Sequence, residues 1–134
     1  YVQSSHDVCR QDQAETIDIE AWQAAVAVVL TGENAGDRRI RPNHAFAPGN
    51  GHWGAIELAA RMGALDVEDG AFPTFADAKK SIRGMDTQGV ALNWYLTDNV
   101  KASLDYEHSE FTGGAAQGDR PDEDVVLAQW QLVF

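Results

Sequence analysis

Asp124-Val-Val-Leu-Ala-Gln-Trp-Gln-Leu-Val-Phe134 is the stretch on which the fold turns. Successive side chains of an extended strand point to opposite faces. Val126, Ala128, Trp130, Leu132 and Phe134 therefore share a wholly apolar face, and Val125, Leu127, Gln129, Gln131 and Val133 share a face with two amides. A soluble sheet more often turns its apolar face to a core and places charges on the other. An apolar outer face, a mildly polar inner face and a terminal aromatic suit a membrane β-barrel strand, with lipid on one side and a wet lumen on the other. The same alternation also fits the last strand of a soluble β-domain.

Composition narrows the classes. The 134 residues fall within the range of one domain. A net charge of −11 argues against a nucleic-acid partner, because no basic stripe is present to neutralise phosphates. The longest apolar run, Ala24-Ala-Val-Ala-Val-Val-Leu30, is far shorter than the ~20 residues a membrane helix needs. A membrane reading of this chain thus requires a barrel. Cys9 is the only cysteine, so neither an internal disulfide nor a cysteine-based zinc site is expected. No stretch reads as a signal peptide, and Tyr1 reads as mid-strand, which predicts a mature form or the tail of a longer chain.

Outward from the last strand, alternation recurs. Residues 1–10 read as a poor strand and 11–16 as a polar connection. Over 17–30, Trp22, Ala24, Val26, Val28 and Leu30 share an apolar face, although alanine also favours helix. Residues 31–51 are turn-rich and hold a basic cluster, Arg38, Arg39 and Arg41, read either as an anion-attracting patch or as a solvated run balanced by Glu33 and Asp37. At 52–66 propensity and pattern disagree. Ala55-Ile-Glu-Leu-Ala-Ala-Arg-Met is rich in helix formers. Yet Ile56, Leu58, Ala60, Met62 and Ala64 alternate with a series that carries both charges, Glu57 and Arg61, and glycines stand at 54 and 63.

After a loop at 67–83, residues 86–96 place Val90, Leu92, Trp94 and Leu96 on one face. Thr97-Asp98-Asn99 makes a tight turn. Residues 100–108 then return with Lys101, Ser103, Asp105 and Glu107 opposite Val100, Ala102, Leu104 and Tyr106, which completes a hairpin. A glycine-rich loop at 111–123 leads to the final strand. Barrel turns are short on the periplasmic side and long outside. This predicts 97–99 and Phe134 at the periplasmic side, with 67–83 and 111–123 external; parity also makes 31–51 periplasmic, long for that side.

Taken in order, Leu30-Thr-Gly-Glu33, Phe46-Ala-Pro48, Trp53-Gly-Ala-Ile-Glu-Leu-Ala-Ala-Arg61, Gly89-Val-Ala-Leu-Asn-Trp-Tyr-Leu-Thr-Asp-Asn-Val100, Asp105-Tyr106 and the terminal Phe134 resemble the C-terminal portion of the phosphate-selective porin O/P family. The resemblance implies an all-β fold: about six antiparallel strands over 1–134 forming the C-terminal segment of a 16-stranded transmembrane barrel in the bacterial outer membrane. It also implies a homotrimer and an Arg- and Lys-lined anion path, and it favours strand at 53–65. Six strands cannot close a barrel, since the smallest membrane barrels have eight. The resemblance therefore implies a C-terminal fragment or one piece of a split barrel, with the remaining strands from the same or another chain.

The expected function is passive diffusion of small hydrophilic solutes or ions, anions such as phosphate among them, with no cofactor and no metal. The expected pore-lining residues are Glu57, Arg61, Asn93, Lys101, Ser103, Asp105 and Glu107. Their charged members are two cations against three anions, so no phosphate-binding residue of the family is carried over. The charges either set selectivity or brace one another across strands. Trp130, Leu132 and Phe134 resemble the signal read by the barrel assembly machinery. A soluble β-rich ligand-binding module, with Trp22, Trp53, Trp94 and Trp130 as core or ligand platform, is the alternative. An enzyme is not expected: His6, His44, His52 and His108 have no metal-ligand spacing, Glu57 and Asp105 have no fixed separation, and no nucleophile elbow or phosphate-cradling loop occurs.

Overall fold

The computed structural model describes residues 1–10, 13–35, 39–72 and 74–134, with the side chains of residues 10 and 13–15 left out. It is built of strands: β1 (Val2–Arg10), β2 (Gln13–Val29), β3 (Ala55–Val67), β4 (Ile82–Tyr95), β5 (Val100–Ala115), β6 (Gly118–Asp119) and β7 (Glu123–Leu132). They join one antiparallel sheet in the order β1-β2-β3-β4-β5-β6, with β7 paired to β5. Among the described residues no helix is long and apolar enough to cross a membrane, which bears on helices alone. By packing, the chain divides into two units. The first holds Tyr1–Ala24, Met62–Gln88 and His108–Asp124; the second holds Ala25–Arg61, Gly89–Glu107 and Val125–Phe134.

In the first unit β1 and β2 pair from Val2 opposite Ala21 to Arg10 opposite Gln13. The polar connection read at 11–16 is therefore strand from residue 13 on, where the chain already pairs; residues 11 and 12 lie outside the described residues. Polar residues are held there by cross-strand bonds, such as that from the Thr16 hydroxyl to Asp7 Oδ1 at 2.8 Å. The loop read at 111–123 is also largely strand. β5 runs on to Ala115 and folds back through β6, with Gly114 opposite Asp119 and Ala115 opposite Gly118. Gly113 and Gly114 have φ of +76° and +84°. Their composition looks like a loop, yet they carry an irregular strand that only glycine adopts without strain. Phe111 is buried beneath the Arg120 guanidinium, 4.4 Å from its ring centroid. β4 likewise starts at Ile82, earlier than the alternation at 86–96.

In the second unit β3 settles the helix–strand conflict. Isolated propensity would favour helix at 55–62, but pairing to β2 and β4 on either side supplies the backbone with strand partners. The glycine before β3 matters: Gly54 has φ +74°, and a Cβ there would lie 2.3 Å from the Tyr95 carbonyl oxygen. The 97–99 turn forms as read. The Thr97 hydroxyl accepts from the Asn99 and Val100 amides, each at 3.1 Å, and Asn99 exchanges bonds with the Val133 backbone. Val133, and Phe134 after it, thus end beside that turn.

Neither unit buries a conventional core. Among the described residues the buried apolar side chains are Ile17, Ile40, Ala55, Ala71 and Phe111. Val26, Val28, Leu58, Val90, Leu92, Leu104, Val126 and Leu132 of the second unit, the even-numbered apolar series, are exposed instead. Trp22, Trp53 and Trp130 are 44%, 58% and 68% exposed. These three tryptophans therefore do not form the core that a soluble module would need.

Candidate polar face and its supporting loop

The opposite, odd-numbered face of the second unit gathers every residue expected to line a pore. The Asn93 amide on β4 donates to Glu57 Oε1 on β3 at 2.7 Å, and the Ser103 hydroxyl on β5 donates to Asn93 Oδ1 at 2.8 Å. One amide thus ties three strands, using its donor on one side and its acceptor on the other. Arg61 on β3 forms an ion pair with Glu107 on β5. It reaches across β4 at Gly89, where a Cβ would stand 3.4 Å from Arg61 Nε. The absent side chain at 89 is what lets the guanidinium lie across the intervening strand. Both partners are partly exposed, so the pair contributes at most about 1 kcal/mol.

Lys101 Nζ stands 5.2 Å from the Tyr95 ring centroid, within cation–π range. Asp105 makes no ion pair among the described residues. Arg61, Asn93, Lys101, Ser103, Asp105 and Glu107 border one cavity of about 590 Å³. Gln129 on β7 borders it too. It and Tyr95 were absent from the expected set, although the odd position of each already placed it on this face.

The loop before β3 is fastened to this unit by the motif at 30–33. The Leu30 amide donates to Ile56 O at 2.8 Å, extending the ladder past β2. The Thr31 hydroxyl accepts from the Ile56 amide at 3.0 Å and donates to Glu33 Oε2. Glu33 Oε1 accepts from the Asn43 amide at 3.2 Å. Beyond it Phe46 packs edge-on against Trp53 and Trp94, at 5.9 and 5.2 Å between centroids, while Trp94 Nε1 donates to Trp53 O at 2.6 Å. Of the basic cluster, Arg39 and Arg41 are exposed, Arg39 interacts electrostatically with Tyr95, and Arg38 lies outside the described residues.

Partial burial pushes the Glu33 carboxyl upward, but the Thr31 hydroxyl and the Asn43 amide outweigh it and hold the group below the usual carboxylate range. A depressed folded value means that ionised Glu33 steadies the loop fully above the unfolded value of about 4.3, and that this support is lost as pH falls through the lower folded value. Amide hydrogen exchange at Asn43 is expected to speed up over that acidic window in the native chain, and to be fast and pH-insensitive, after correction for intrinsic exchange, in Glu33→Gln. Unchanged protection in both would show that Glu33 does not hold the loop.

In the first unit His108 joins β5 to β7, its Nδ1 lying 2.9 Å from Asp124 Oδ1, and its Nε2 lies 3.5 Å from Glu110. Among the described residues no three His, Cys, Asp or Glu side chains converge as a metal site. Compared with known proteins, the chain matches the family model "phosphate-selective porin O and P" over residues 1–134. No curated protein matches it.

Proposed function

Because this chain belongs to the phosphate-selective porin O and P family, a family of outer-membrane porins rather than enzymes, we propose that it forms part of the wall of a water-filled channel for passive diffusion of small hydrophilic solutes. The observation that carries this reading is the division of β3, β4 and β5 within the second unit: exposed apolar side chains such as Leu58, Val90, Leu92 and Leu104 occupy even positions, and a hydrogen-bonded polar series occupies odd ones. A strand wall between lipid and water needs that division, because lipid offers the backbone no partners and the inner side chains must tolerate water. Glu57, Arg61, Asn93, Lys101, Ser103, Asp105 and Glu107 line the lumen in this reading. The barrel's other strands complete the wall, and three barrels associate in the outer membrane.

Arg61→Glu together with Lys101→Glu tests the lining role. The charged members of that face would pass from two cations and three anions to none and five. Reversal potentials of the complete barrel in a planar bilayer are expected to shift several-fold toward cations. Unaltered ion selectivity would remove these residues from the lumen.

The exposed terminal segment, Trp130, Leu132 and Phe134, is proposed as the signal for the assembly machinery. Deletion of Phe134 is expected to lower the folded, heat-modifiable fraction in the outer membrane while total synthesis is unchanged. Normal insertion without Phe134 would refute that role.

A further inference from the structure

The polar face of the second unit pairs one cation with one anion and leaves Glu57, Lys101 and Asp105 outside any ion pair among the described residues. Arg61 is paired with Glu107, and Glu57 accepts from Asn93. Lys101 rests on the Tyr95 ring and Asp105 stands without an ion pair among the described residues. Both border the same cavity of about 590 Å³. They lie on one face of β5, four residues apart, which places their Cα atoms ~13 Å from each other. Ser103, already bonded to Asn93, lies between them along β5, and Gln129 of β7, whose carboxamide carries both a donor and an acceptor, borders the same cavity. Such a site offers a cation at one end, where Glu57 and Arg39 both act on the same Tyr95, and an anion at the other. It is suited to an extended molecule with a carboxylate at one end, an ammonium at the other, and amide groups between.

We propose that this face is a binding subsite for short zwitterionic peptides of about three residues, whose extended termini are ~10 Å apart. The C-terminal carboxylate meets Lys101, the N-terminal ammonium meets Asp105, and Gln129 meets the peptide groups. This rests on the channel reading and adds a solute class to it.

The test uses the complete barrel reconstituted in liposomes and planar bilayers, with trialanine, N-acetyl-trialanine and trialanine amide as probes. Trialanine is expected to permeate about three- to tenfold faster than either blocked analogue, because each block removes one terminal contact. Lys101→Gln is expected to erase the advantage over the amide, and Asp105→Asn the advantage over the acetyl form. Salt conductance with equal permeation of all three probes overturns the peptide subsite and leaves the channel standing. Absence of conductance from folded, inserted barrels overturns the channel and the subsite together. The probe series on the native barrel decides the matter even where a variant fails to fold.

Discussion

Gly54→Ala is expected to cost about 2–5 kcal/mol and to leave most of the protein unfolded in a detergent or vesicle refolding assay. Two penalties combine. At φ +74° an alanine enters the left-handed region, at about 1–2 kcal/mol. Its Cβ would also stand 2.3 Å from Tyr95 O and 3.2 Å from Leu96 Cα, both backbone atoms. Overpacking of that kind typically adds about 1–3 kcal/mol. The backbone has little room to retreat. Leu96 O accepts from the Phe46 amide at 2.7 Å, the Leu96 amide donates to Val100 O at 3.0 Å, and Trp53 O is held by the Trp94 indole. Gly49→Ala is the control, since nothing lies within 4 Å of a Cβ at that position. Urea titration of the folded fraction separates the two variants. Equal stability of Gly54→Ala and Gly49→Ala would show that the close approach of residue 54 to β4 is not required.

Leu104→Arg is expected to destabilise the protein in lipid by about 2–4 kcal/mol, the cost of a charge on the lipid face near the middle of the bilayer. Leu104 is 51% exposed. In a soluble domain a half-exposed leucine would accept arginine within roughly 0.5 kcal/mol. The same substitution therefore gives opposite results for the two solvents. Ser103→Arg, one residue away on the other face, provides the comparison. It loses the bond to Asn93 but keeps its charge in water, so folding is affected far less and ion conductance is expected to fall. Folding equilibria in vesicles, read by fluorescence of the four tryptophans, measure both. Equal tolerance of arginine at 103 and 104 would mean that the even face does not meet lipid.

Alternation determined which side chains of this protein's central strand stretches share a face. Ile56, Leu58, Ala60 and Met62 against Glu57, Ala59 and Arg61 opposed a helix-forming composition, since side-chain direction in a strand has a strict period of two, and the family resemblance turned that conflict to strand. The same periodicity placed all seven expected polar residues on one face. Their partners were another matter. That Arg61 meets Glu107 rather than Asp105, crossing β4 over Gly89, depends on the register between strands far apart in the chain, which no local pattern encodes. The extension of β5 through Gly113 and Gly114 was hidden for a related reason: loop-like residues become strand when a neighbouring strand supplies their hydrogen bonds. Tertiary structure also gave Leu30-Thr-Gly-Glu33 its meaning, since Thr31 and Glu33 act on Ile56 and Asn43, 25 and 10 residues away. Period and polarity are properties of neighbours along the chain; register and reach are properties of neighbours in space.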